Sequence, residues 1–584
     1  MTVMKASHSK SLLALCAWLP LLLLASSLIA FLAAPVVASN GREPIIMIPG
    51  FASSRLISWK FKDCGAGLNI HIGDRVWLDV AHVLYDSFRE NCWVECMKVE
   101  TYNQTDPPDC KLRAVSSIEA ISELDPGQFT GPLSAIFRHI IDALVDNYAY
   151  DPTTLAAAPY DWRLPPIKLE ERDHYFSNLK TTIEEIVAFN KAPAIVIAHS
   201  MGNNVFLYFV EWIKDLYPHD WERWFDCHVS TFFAVGAPLL GAAGTVRVAL
   251  SGQTFGLPIS EASVRDFMST FGSGPWLFPL PDPAPEGFNR TQAGWPHPPV
   301  TLSYRSNPKE PRQYQYEDVQ NGTFWEELAA ADSSFDSQAY MLRKYYAEAE
   351  INPIAEPPPR PPVKNIFAIY GVNEKTELAF DYRQMDEGFR LKKMIWEDSG
   401  GEVYSTTSIL NKKESISRSP SGKSGDGTVT YNSLAWSHTW HVSNVTTTLL
   451  PTLVDMSPRL QGLRRMLGLQ RIIYGGERYD SFGPIPEGGS EHDRTHTSVL
   501  EFERINHRDV IMSPKLIDLL ISELANRTDI PYVPWKQSVA PAANTQLSDM
   551  EERLLKSERE REGLEARIRE LEGRIARENT SKGG

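Results

Sequence analysis

Apolar residues run without a break through Ile195, Val196 and Ile197, give way to His199 and Ser200, and resume as Val205, Phe206, Phe209, Val210 and Ile213. A short continuous run followed by helical recurrence predicts a buried strand, a sharp turn and a helix. Ser200 sits at the turn, with Ala198 two residues before it and Gly202 two after. So tight a turn strains its central residue, so both flanking positions must be small. The usual pattern has glycine at both, and Ala198 is a mild departure. Two further apolar runs read as strands. One, at 44–48, enters the loop Pro-Gly-Phe-Ala-Ser-Ser (49–54); the other is a late strand at 363–370.

A serine on such an elbow is a poor nucleophile until a histidine takes its proton and a carboxylate fixes that histidine's tautomer. In hydrolases built on this turn the chain order is serine, acid, histidine. Downstream of Ser200, Asp426 lies in the glycine-flanked turn Ser-Gly-Asp-Gly-Thr-Val (424–429), where a short carboxylate projects freely. His507 follows in Phe-Glu-Arg-Ile-Asn-His-Arg (502–508), just before an apolar stretch at 510–517 whose tail starts a helix. The required order makes Ser200, Asp426 and His507 the candidate catalytic residues. His199 is read as structural, because a residue beside the nucleophile points elsewhere. A backbone amide from the 49–54 loop and the one after the serine are the expected oxyanion donors, which assigns that role to Phe51 and Met201.

A net charge of −15 argues against a nucleic-acid partner and against purely electrostatic docking to anionic lipid. Membrane contact would therefore be hydrophobic. Lys5 and Lys10 precede an almost uncharged stretch at 12–38 that ends in Val-Val-Ala-Ser (36–39). It exceeds the apolar core of an ordinary cleavable leader and the roughly 20 residues needed to cross a bilayer. Residues 1–40 thus read as a signal anchor or a long signal peptide. Either sends the body into the lumen of the secretory pathway, with the endoplasmic reticulum membrane as the expected location. Cys64, Cys92, Cys96 and Cys110 cluster in a way that suits disulfides in that compartment, though sequence alone leaves the pairing open. Their irregular spacing and the lack of a histidine pair make zinc a poor alternative. Asn103, Asn289, Asn321, Asn444, Asn526 and Asn579 head Asn-x-Ser/Thr triplets and are glycosylation candidates.

Residues 41–537 read as one catalytic body. Trp77, Leu78, Val80, Val83 and Trp93 offer either an apolar lipid-facing surface or ordinary core packing. Proline-rich stretches make 262–360 a cap insertion of irregular loops, and the polar run 411–424 reads as mobile. After a linker at 538–546, Leu547, Met550, Leu554, Leu564, Ile568, Leu571 and Ile575 follow heptad-like steps with balanced charged flanks. That pattern predicts a coiled coil over 547–580 and a route to a homo-oligomer.

Met-Ile-Pro-Gly-Phe-Ala-Ser-Ser (47–54), Val-Trp-Leu-Asp (76–79), Asn-Cys-Trp-Val-Glu-Cys-Met (91–97), Pro-Tyr-Asp-Trp-Arg-Leu (159–164) and Phe-Ala-Val-Gly-Ala-Pro-Leu-Leu-Gly (233–241) resemble the lecithin:cholesterol acyltransferase superfamily. Leu-Asp-Pro-Gly (124–127), Ala-His-Ser-Met-Gly-Asn-Asn-Val-Phe (198–206) and Thr-Phe-Gly-Leu-Pro-Ile-Ser-Glu (254–261) are similar to its plant-type phospholipid–sterol acyltransferases. The resemblance implies an α/β-hydrolase fold with lid and cap insertions. It also implies acyl transfer from a phospholipid to a sterol through an acyl-enzyme on Ser200, with no cofactor or metal. Asp426 and His507 fall on the family's triad positions, and Cys64–Cys92 and Cys96–Cys110 are the pairings it favours. Where the family often has a second acidic residue after the triad aspartate, Gly427 stands here, which leaves Asp426 the only carboxylate of its turn. Transfer to diacylglycerol, or hydrolysis as a phospholipase A, uses the same groups. A membrane-anchored interaction protein on a retained fold is the non-enzymatic rival.

Overall fold

In the computed structural model the described residues are 42–65, 69–86, 92–127, 130–256, 259–283, 295–386, 388–407, 412–454, 473–488 and 494–525. The expected signal anchor, the linker and the coiled coil lie outside them, as do Asn289, Asn526 and Asn579. The chain divides into two units, Met1–Pro534 and Trp535–Gly584, and every described residue belongs to the first. Among the described residues, no helix is long and apolar enough to cross a membrane.

The main sheet has eight strands: β1 (Ile45–Ile48), β2 (Leu155–Ala157), β3 (Ala194–His199), β4 (Val229–Val235), β5 (Asn365–Val372), β6 (Thr446–Val454), β7 (Ile473–Phe482) and β8 (His496–Glu503). Their order is β6-β7-β8-β5-β4-β3-β1-β2. From β8 to β2 all neighbours are parallel, and β7 and β6 add an antiparallel margin. Every residue of β1, β3 and β4 is buried, as expected for parallel strands with both faces covered. Alternate residues divide between the faces. Met47, Ile197, Phe233, Phe367 and Leu500 pack on Phe137, Ile140 and Leu144. On the other face Phe232 meets Phe206 of the helix that follows β3, their rings 4.4 Å apart. Burying each such side chain contributes about 1.5–3 kcal/mol. The result is a mixed α/β framework consistent with an α/β-hydrolase-like fold.

The segment expected as the lid forms a three-stranded sheet (Leu56–Ser58, Arg75–Trp77, Leu112–Ala114) carrying the disulfides Cys64–Cys92 and Cys96–Cys110. Trp77, Val83 and Trp93 are buried, so core packing is the reading that holds for these three. Trp77 packs against both Trp93 and Trp162. The lid is pinned from below by a buried charge cluster. Asp161 accepts from Arg163 Nε at 2.8 Å and Nη2 at 2.7 Å, and from Arg172 Nη2 at 2.6 Å. The spare Nη1 of Arg163 donates to the carbonyls of Met97 and Lys98 on the lid.

The cap differs from the irregular loops expected at 262–360. It contains the helices Glu261–Met268, Tyr316–Gln320, Thr323–Ala331 and Asp336–Leu342, and two strands of a second, six-stranded sheet. The prolines fall in the connections between these elements, while aromatic residues build a small core, with Phe278 stacked on Trp325 at 4.6 Å. The second sheet runs Lys413–Arg418, Glu402–Thr407, Phe389–Asp398, Thr376–Gln384, Val300–Ser303, Arg312–Tyr314. Its first strand falls in the polar run read as mobile. All six of its residues are exposed, because an edge strand is held by main-chain pairing and needs no apolar side chain.

Arg163 and Asp161 are both fully buried, so removing one strands the other. Arg163→Ala is expected to lower unfolding free energy by about 3–5 kcal/mol. The check is a chemical denaturation midpoint, and an unchanged midpoint would mean that the cluster does not hold the lid.

Candidate active site

Ser200 ends β3 and opens helix α1 (Met201–Leu216) with φ +54° and ψ −129°, a conformation an L-residue holds only under constraint. Three hydrogen bonds supply it. Ser200 N donates to Val235 O at 2.9 Å, and Asn203 Nδ2 donates to Ser200 O at 2.9 Å and to Val235 O at 3.0 Å. The small neighbours have a measurable cause. A Cβ on Gly202 would lie 2.5 Å from the carbonyl oxygen of Ile48 and 2.6 Å from that of Pro49. Ala198 is held in register between Ile48 and Ala234, where its methyl is fully buried.

Three elements far apart in sequence meet at this serine. His507, in the loop after β8, places Nε2 2.8 Å from Ser200 Oγ, and its Nδ1 lies 2.7 Å from Asp426 Oδ2. With Nδ1–H donated to the aspartate, Nε2 is free to accept the serine proton. Asp426 is wholly buried, and its other oxygen accepts from the amides of Thr428 at 3.1 Å and Val429 at 2.8 Å. The two loops are also joined through main chain, His507 N donating to Asp426 O at 2.8 Å.

His199 turns away from the serine. Its Nε2 lies 3.0 Å from the carbonyl of His507 and supports the histidine loop from behind. Burial, with the nearby charges of His507 and Arg508, pushes His199 down to about 3, so the ring is neutral and donates Nε2–H to that carbonyl.

The 49–54 loop presses its main chain on Ser200: a Cβ on Gly50 would lie 2.8 Å from Ser200 Cβ. Trp77 Nε1 donates to Ala52 O at 2.7 Å and the Phe51 ring packs edge-on to Trp162, which together fix the loop. Among the described residues, the amides of Phe51 and Met201 donate to no protein acceptor, so both are available to an oxyanion. Asn203 and the Trp77 brace were not assigned these roles from sequence. The only cue was a polar residue, Asn203, on an otherwise apolar helix face.

Asn103, Asn321 and Asn444 are exposed. A cavity of about 660 Å³ lies between the outward face of α1 (Asn204, Leu207, Glu211) and the proline strap at 353–361, and no triad residue lines it.

The lecithin:cholesterol acyltransferase family model matches residues 71–456. Phospholipid–sterol O-acyltransferase of Arabidopsis thaliana is 32% identical over 533 residues, covering 81% of this chain and 81% of its own. Phospholipid:diacylglycerol acyltransferase of Schizosaccharomyces pombe is 27% identical over 59% of this chain and 58% of its own. Lysosomal phospholipase A and acyltransferase of Canis lupus familiaris is 27% identical over 42% and 60% respectively.

His199 generates a pH-dependent expectation. An unfolded histidine protonates near 6.5, whereas the folded ring resists protonation until about 3. Its contribution to stability is therefore complete above pH 6.5 and lost as pH falls through that window. The non-titrating donor variant His199→Gln should lose less stability than the wild type between pH 6.5 and 4 in thermal melts. Equal slopes would show that His199 is not held neutral.

Proposed function

The chain belongs to the lecithin:cholesterol acyltransferase family, and from that premise we propose that it moves a fatty acyl chain from a phospholipid to the hydroxyl of a sterol through an ester on Ser200. The observation that carries the reading is the hydrogen-bonded chain from Ser200 Oγ through His507 to Asp426, at 2.8 and 2.7 Å, beside two uncommitted amides.

In the first half-reaction His507 Nε2 takes the Ser200 proton as Oγ attacks the ester carbonyl of the donor. The Phe51 and Met201 amides receive the oxyanion, each such donor being worth about 2.7–4 kcal/mol in the transition state. Collapse breaks the acyl–oxygen bond, and His507 returns the proton to the departing lysophospholipid. In the second half the sterol hydroxyl gives its proton to His507 as its oxygen attacks the acyl carbonyl. Collapse breaks the bond to Ser200 Oγ, which takes the proton back from His507, and the steryl ester departs. Asp426 stays ionised and balances the transient imidazolium. The donor is already an ester, so the route needs no cofactor or metal.

The sterol as acceptor is supported by the Arabidopsis relative, which is aligned along four-fifths of both chains. Diacylglycerol is the second reading, favoured by the yeast relative. Release to water would make the protein a phospholipase A, and which outcome prevails depends on how well lid and cap exclude water from the acyl-serine. The reading sets the body in the lumen of the endoplasmic reticulum or secretory pathway, where disulfides persist, with residues 12–38 as membrane contact and 547–580 as a pairing helix.

The test is an acyl-labelled phospholipid in liposomes with sterol and diacylglycerol in competition. Label is expected in steryl ester with wild type and nowhere with Ser200→Ala. Label in triacylglycerol or free fatty acid would move the assignment to the second or third reading, and an active Ser200→Ala protein would remove the mechanism. Asp426→Asn should lower kcat by about 10⁴-fold.

A further inference from the structure

The loop that carries Asp426 is fastened to the second sheet at a single cross-strand pair. Thr376 and Glu397 face each other on neighbouring strands, Thr376–Gln384 and Phe389–Asp398. Oε1 of Glu397 accepts from Gly425 N at 2.7 Å and from Tyr431 N at 2.7 Å, the two ends of the loop. Thr376 Oγ1 accepts from Gly427 N at 2.9 Å, at the tip beside Asp426. The turn itself is closed by Asp426 N donating to Val429 O at 3.2 Å and by the Thr428 and Val429 amides on Asp426 Oδ1. Its start is held by Asn373 N and Glu374 N, which donate to the carbonyls of Ser424 and Gly425 at 3.0 Å each. The contacts from the second sheet are those of Thr376 and Glu397.

Glu397 is 2% exposed. Burial, opposed by the two amides and reinforced by the charge of Asp426, pushes it up to about 7. Asp426 is the titratable group whose charge acts on it, and the charge of Glu397 in turn helps to hold the Tyr316 hydroxyl protonated. A carboxylate placed this deep and beside a second one is an expensive way to satisfy two amides if packing were its only purpose. Its reach is what the position uses. One oxygen, carried on two methylenes, spans from the sheet to both ends of a loop whose Asp426 meets a histidine at 2.7 Å.

We propose that Glu397 is a positioning residue for the acyl-transfer reaction, setting the Asp426 loop from the second sheet so that the carboxylate meets His507 Nδ1. The proposal rests on the triad reading given above. Aspartate at this position is one methylene shorter and cannot reach both amides, whereas glutamine keeps the acceptor at the same length. A displacement of about 1 Å in a catalytic group is enough to cost roughly 100-fold in rate.

The experiment compares wild type, Glu397→Gln, Glu397→Asp, Glu397→Ala and Ser200→Ala of the full chain, measuring kcat and KM for acyl transfer from phospholipid vesicles alongside thermal unfolding. Glu397→Asp and Glu397→Ala are expected to lower kcat by roughly 10–100-fold with KM within about 2-fold of wild type. Glu397→Gln is expected to stay within about 3-fold of wild type, because the amides keep their partner. Should the alanine variant fail to fold, the aspartate and glutamine variants decide. A folded Glu397→Asp protein with wild-type kcat overturns the proposal, and so does a glutamine variant as impaired as the aspartate one. If Ser200→Ala is inert while Glu397→Asp is unimpaired, only this proposal fails. If Ser200→Ala is active, the triad reading fails and takes it along.

Discussion

The close approach of β1 to the elbow is the contact on which the rest of the site depends. Ser200 can hold φ +54° only while α1 starts tight against the end of β1, and the missing side chain of Gly202 makes room for the Ile48 and Pro49 carbonyls. The same approach sends the chain leaving β1 directly over the serine, with Gly50 in contact with it and the Phe51 amide uncommitted. One steric requirement thus sets both the backbone angle of Ser200 and the position of the uncommitted Phe51 amide beside it. Donors held rigidly by main chain need no rearrangement as the oxyanion forms, which is the condition under which they are most effective.

Around this centre two buried carboxylates behave in opposite ways. For Glu501 burial alone would favour the neutral form. The hydrogen bond and charge of His438 and the charge of Lys423 outweigh it and hold the group down to about 2. Glu397 has amides and no cation to oppose its burial, and it moves the other way. Both reach the same residue: Tyr431 donates its amide to Glu397 and its hydroxyl to Glu501 at 3.0 Å. The segment that closes the Asp426 loop is therefore tied to both sheets.

The parts legible in the sequence are those in which local pattern and chemistry coincide. The apolar run before Ser200, the small flanks and the helical recurrence after it describe a strand, turn and helix without reference to anything distant. Asp426 stood out because glycine flanks it, and His507 because it follows in the right order. The second sheet was not legible. Four of its strands form a local antiparallel meander from Thr376 to Arg418, but Val300–Ser303 and Arg312–Tyr314 join it from far earlier in the chain, and its edge strand Lys413–Arg418 has no buried side chain to betray it. The cap reads as irregular from its proline runs at 279–285 and 353–362, and most of its helices and strands lie between them. Glu397 had no sequence signal: its role exists only after the Asp426 loop has folded onto the strand that carries it.

The attachment of that loop to the cap sheet limits how such a protein can diversify. Val300–Ser303 and Arg312–Tyr314 of the cap belong to the same sheet as Thr376 and Glu397, with Val300 directly opposite Phe380 on the Thr376–Gln384 strand. A cap grafted whole from a relative would set a different strand against Thr376–Gln384, the strand that carries Thr376, and a chimera joined there would disturb the support of the Asp426 loop before it changed the substrate. New acceptor preferences are easier to reach by altering side chains and loops at the cap's outer margin. On this architecture the cap and the Asp426 loop are mechanically one piece, and a strain in either is felt by the other.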